Sequence, residues 1–125
     1  MSLRFKSLLA VLTLTAGVSL VAAVPHFTVT KSLPAANQVV EQSPERLQYW
    51  FSEAPADGVS TIKLLRGTTE IALAKTVVVP AEKTMHASPE KPLEPGTYKM
   101  TWRAAGGDGH VMSGETAFTI ATPKH

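Results

Sequence analysis

Turn-forming residues punctuate this sequence every 8 to 15 positions, and between them apolar and polar residues alternate. The punctuation runs through Leu33-Pro34, Ser43-Pro44, Pro55 to Gly58, Arg66-Gly67, Pro80, Ser88-Pro89, Pro95-Gly96, Gly106 to Gly109 and Gly114. Nine prolines and eight glycines so spread leave no room for a long helix. Period-two segments between such signals predict an antiparallel β-sandwich. The expected strands cover roughly 27–32, 46–52, 60–66, 70–79, 83–87, 97–104 and 115–121. Leu47, Tyr49 and Phe51 fall on one face of the second, and Tyr98, Met100 and Trp102 on one face of the sixth. These are core positions. Leu93-Glu94-Pro95-Gly96-Thr97-Tyr98 has the pattern of a tyrosine corner, in which a Tyr at a strand start bonds back to upstream backbone.

Arg4 and Lys6 precede an apolar run from Leu8 to about Val21, which ends in the small residues Val21-Ala22-Ala23. That is the pattern of a secretory signal peptide, residues 1–23. The run could just span a bilayer if retained, but its small-residue ending points to export and release, with no membrane insertion afterwards. Residues 24–125 then form a single domain. Loss of Arg4 and Lys6 takes the basic count from 12 to 10 against 10 acids, so the exported chain is near neutral. No basic run interleaves with aromatics, so nucleic-acid binding has no support and no nucleic-acid partner is expected. The chain has no cysteine. An exported domain of this kind takes its stability from its core and has no thiolate metal site.

Asp108-Gly109-His110, among glycines and directly after the sixth expected strand, reads as a two-ligand metal arm. In extended backbone residues i and i+2 share a side about 7 Å apart, and flanking glycines let both heads turn toward one ion. His26, just past the cleavage site, offers a third ligand. Imidazole and carboxylate without sulfur suit Cu(II), Ni(II) or Zn(II). His86, beside a core-facing Met85, is expected to face solvent. Met85, Met100 and Met112 are too scattered for a soft-metal cluster.

The order and spacing of His26, Ser32-Leu33-Pro34-Ala35, Leu47-Gln48-Tyr49-Trp50-Phe51-Ser52-Glu53, Leu93 to Tyr98, Trp102-Arg103-Ala104, Asp108-Gly109-His110, Gly114 and Phe118 resemble the CopC/PcoC periplasmic copper-resistance proteins. The resemblance implies a seven-stranded Greek-key β-sandwich or barrel, immunoglobulin-like or cupredoxin-like in architecture, with Cu(II) at one end. It implies His26, Asp108 and His110 as ligands and Glu53 as an outer-shell partner. It also implies a periplasmic protein that sequesters or delivers Cu(II), without catalysis. The expected partners are the copper ion and a membrane copper transporter or another periplasmic copper protein.

The chain departs from the family pattern twice. Cleavage after Ala23 leaves His26 third, and Pro25 has no amide hydrogen to lose, so an amine-to-histidine chelate through the intervening amides is closed. An amine-first His26 requires removal of the Val24-Pro25 dipeptide. Residues 53–84 also contain no methionine, so one Cu(II)-type site and no dedicated Cu(I) site is expected. Two other function classes compete: a copper mono-oxygenase, for which Trp50 would be the exposed aromatic, and a metal-free immunoglobulin-like adhesion or assembly module. No nucleophile–base arrangement is visible, and fold alone does not choose between these classes.

Overall fold

A computed structural model describes residues 27–123. The predicted signal segment, the expected cleavage point and His26 lie outside the described residues. Nine strands are present among the described residues: β1 (Val29–Leu33), β2 (Gln38–Val40), β3 (Leu47–Phe51), β4 (Thr61–Arg66), β5 (Thr69–Ile71), β6 (Val77–Val79), β7 (Thr84–Ala87), β8 (Gly96–Ala105) and β9 (Val111–Ile120). They form a four-stranded sheet, β1-β3-β7-β6, and a five-stranded sheet, β2-β9-β8-β4-β5. All pairings are antiparallel except β2 with β9.

Alternation builds the core. Leu47, Tyr49 and Phe51 of β3, Ile62 and Leu64 of β4, Tyr98, Met100 and Ala104 of β8, and Phe118 and Ile120 of β9 are buried between the sheets. Fully burying one large apolar side chain contributes roughly 1.5–3 kcal/mol. Tyr49 ties the layers together: its hydroxyl donates to the Met100 carbonyl at 3.2 Å and lies 3.1 Å from Thr116 Oγ1. The tyrosine corner is present, with the Tyr98 hydroxyl donating to the Glu94 carbonyl at 2.6 Å.

The all-β sandwich class expected from the sequence is the one found, with nine strands in place of seven. The expected strand 70–79 is two strands in different sheets. Between them the backbone leaves β4 and finds other partners: Ala74 N–H donates to the Ser88 carbonyl, and Glu90 N–H to the Ala72 carbonyl. The short β2 lies within a stretch read as a connection. The last strand starts at Val111, not 115, because Gly114 is no turn. It sits mid-strand opposite Trp102, and a Cβ there would meet the indole at 2.5–3.0 Å.

Candidate metal centre at the β8–β9 turn

The ten-residue ladder between β8 and β9 ends at Ala105↔Val111, and residues 106–110 make the connecting turn. Gly109 N–H donates back to the Gly106 carbonyl at 3.1 Å, and Gly109 adopts φ +79°, a left-handed conformation that glycine takes without a Cβ clash. Asp108 folds over this turn. Its Oδ1 accepts the His110 backbone N–H at 3.0 Å, and its Oδ2 lies 2.9 Å from His110 Nδ1. The two side chains therefore touch each other, a correction to the expected pair of parallel arms on extended backbone. The left-handed glycine between them bends the chain.

The chemistry of this contact is directional. A carboxylate only accepts, so Asp108 holds the proton of a neutral His110 ring on Nδ1 and leaves the Nε2 lone pair free. The His110 side chain is 83% exposed, and that of Asp108 40%. A pre-oriented imidazole thus stands open to solvent with a carboxylate behind it.

Residues from the other sheet pack against the same turn. Glu53, two residues past β3, accepts the Gly107 N–H on Oε1 at 2.9 Å. Gly106 is buried, and a Cβ on it would overlap the Glu53 carboxylate and come within 3.1 Å of the Phe27 ring. Phe27 is itself buried and stacks on Phe51, with centroids 4.6 Å apart and planes at 17°. Trp102 meets Phe51 edge-on at 5.2 Å. The strand leading out of Phe27 is pinned at its start, where Thr28 N–H donates to Ser52 Oγ and Ser52 N–H donates to the Thr28 carbonyl.

Asp108, His110 and Glu53, all named from the sequence, thus gather around one turn. Among the described residues no group of three or more His, Asp or Glu side chains comes together as a complete metal cage. Phe27 and Gly106 went unrecognised in the sequence. Phe27 opens the first expected strand with nothing local to mark its contact with the turn, and Gly106 is indistinguishable by sequence from its neighbour Gly107, around whose Cβ position nothing lies within 4 Å. His86 is half-buried on the outer face of the four-stranded sheet, and burial with the nearby Arg46 charge lowers its pKa. It lies on β7 of the four-stranded sheet, whereas the turn belongs to the five-stranded one.

The two-sheet architecture, with its tyrosine corner and a polar pair on one end turn, places the chain among small Greek-key β-sandwiches. Within that class it belongs to the CopC domain family, whose pattern matches residues 29–121. The chain is 34% identical over 106 residues to copper resistance protein C of Escherichia coli, covering 78% of this chain and 83% of that one. It is similar to the crystal structure of PcoC, a methionine-rich copper resistance protein from Escherichia coli, at 31% identity and a TM-score of 0.67, over 77% of this chain and 99% of that one. The crystal structure of CopC from Methylosinus trichosporium shares the fold, with a TM-score of 0.70 at 22% identity over 76% of this chain and 93% of that one.

Proposed function

We propose that this chain is a periplasmic copper-binding protein of copper resistance or homeostasis. It holds one Cu(II) ion at the β8–β9 end through His26, Asp108 and His110, and sequesters or delivers that ion without catalysis. The observation that carries the reading is the Asp108–His110 contact, which leaves Nε2 as an open nitrogen donor on an exposed turn. Nitrogen and oxygen donors without sulfur fit Cu(II). A carboxylate has about four lone-pair sites, so its chemistry allows it both to orient a ring and to bind an ion. Glu53 acts from behind by fixing the turn through Gly107, the role of an outer-shell carboxylate.

His26 enters through covalent continuity. It directly precedes Phe27 in the sequence, and Phe27 packs beside Gly106. Export with cleavage after Ala23 makes His26 a ring-only ligand; trimming of Val24-Pro25 would add the amine. A near-neutral exported chain is compatible with docking to a membrane copper transporter or another periplasmic copper protein.

The oxygenase reading has less support. Trp50 is half-buried, and Lys31 Nζ lies 4.6 Å over its ring, so it does not offer the bare aromatic platform that such a surface would use. Cu(II) titration of Asp108→Ala/His110→Ala tests the proposal. A loss of affinity of a hundredfold or more is expected, with the fold intact by circular dichroism. Unchanged affinity would refute the assignment of these ligands. An adhesion or assembly module would keep its partner in the same double variant.

A further inference from the structure

Met112 differs from the other described methionines. Met85 and Met100 are fully buried, whereas Met112 is 43% exposed. Its register partner on β8 is Ala104, which lies in the core between the sheets. Residues directly opposite in an antiparallel pair project from the same face. Met112 therefore projects from the inner face of the five-stranded sheet, at the end where the core no longer covers it. The Asp108–His110 turn leaves the sheet at this end, and Phe27 and Glu53 approach Gly106 here from the other layer. Ala104 is too short to pack over the thioether, and Gly114, two residues further along β9, is filled by the Trp102 indole.

A thioether in this position is a soft donor two residues from an open imidazole nitrogen. His110 closes the turn and Met112 is the second residue of β9, so their Cα atoms are at most about 7 Å apart in any backbone conformation, short enough for an imidazole and a three-torsion methionine to converge on one ion. Soft donors select Cu(I), whereas a carboxylate oxygen suits harder ions. We propose that Met112 and His110 form a Cu(I)-accepting donor pair on the rim of the copper site, so that one end of the sandwich serves both oxidation states with His110 common to both. This inference rests on the copper-binding reading above. It replaces the expectation of a site limited to Cu(II), and it needs no methionine-rich loop.

The test is anaerobic competition for Cu(I) against bicinchoninate, run beside Cu(II) titration followed by electron paramagnetic resonance, on the exported wild-type chain and Met112→Leu. Leucine keeps the bulk and removes the sulfur. The expected result is a tenfold or greater loss of Cu(I) affinity in the variant, with the Cu(II) spectrum and affinity unchanged. In wild type the methyl carbon resonance of Met112 should shift on Cu(I) addition while those of Met85 and Met100 stay in place. Normal Cu(II) binding with a Cu(I) affinity indifferent to Met112→Leu, or an unmoved Met112 methyl, would overturn this inference alone. Absence of Cu(II) binding by wild type would overturn the copper reading and this inference with it.

Discussion

Gly106 and Gly107 are adjacent and chemically identical, yet the structure gives them opposite tolerances. The space a Cβ would take at Gly106 is already held by the Glu53 carboxylate and the Phe27 ring, whereas Gly107 opens to solvent. Gly106→Ala must push one of these groups away. Overpacking of this kind costs about 1–3 kcal/mol, which for a domain of this size is a fall of several degrees in melting temperature. Gly107→Ala keeps the N–H that Glu53 accepts and should leave stability within about 0.5 kcal/mol of wild type. Thermal melts of the two variants check this, and equal midpoints would contradict the placement of Glu53 and Phe27 against the turn. Because the displaced groups brace the Asp108–His110 turn, Gly106→Ala should also weaken Cu(II) binding while Gly107→Ala should not.

At the scale of the elements, Tyr49 links β3 to β8 and β9 through a hydroxyl with no exposure to solvent. Burial, opposed by the Thr116 hydrogen bond and reinforced by the Glu115 charge, pushes its pKa from 10.0 up to about 12. The folded state therefore favours the protonated phenol more than the unfolded state does. The resulting stabilisation is full below pH 10 and is lost as pH rises toward 12, a change on the order of 2–3 kcal/mol. Denaturant melts between about pH 9 and pH 12 should show wild type losing more stability than Tyr49→Phe over that interval. Parallel curves would contradict the buried, protonated hydroxyl.

The same elements mark what the sequence made legible. Strands with strict alternation, such as Leu47-Tyr49-Phe51 and Tyr98-Met100, could be read because apolar residues alternate with more polar ones along them, and the tyrosine corner could be read from its spacing. The segment 70–79 could not: Ile71 and the valines 77–79 have the same local character, but one belongs to each sheet, and only the tertiary partners of Ala72 and Ala74 separate them. Gly114 misled for a related reason. A glycine that makes room for the Trp102 indole across the strand is locally identical to one that makes a turn. Of the candidate site residues, Asp108 and His110 stood out as residue types in a pattern, and Glu53 only through the family resemblance. Their mutual contact did not, because it depends on the left-handed Gly109 and on the approach of the opposite sheet.

Taken as a whole, the molecule builds its candidate metal centre from both layers. The β8–β9 turn comes from the five-stranded sheet, and Glu53 and Phe27 flank strands of the four-stranded sheet. Sandwich closure and site assembly are therefore one event, and a change that loosens the aromatic contacts of Phe27, Phe51 and Trp102 should loosen the site as well. Among the described residues no helix is long and apolar enough to cross a membrane. Whether this end of the sandwich takes copper is decided by an electron paramagnetic resonance titration with Cu(II), with the start of the mature chain fixed by intact mass. One equivalent of type 2 copper with nitrogen hyperfine structure is expected, bound more tightly if the chain begins at His26 than if it begins at Val24. A protein that binds no stoichiometric copper from either start would contradict the copper reading.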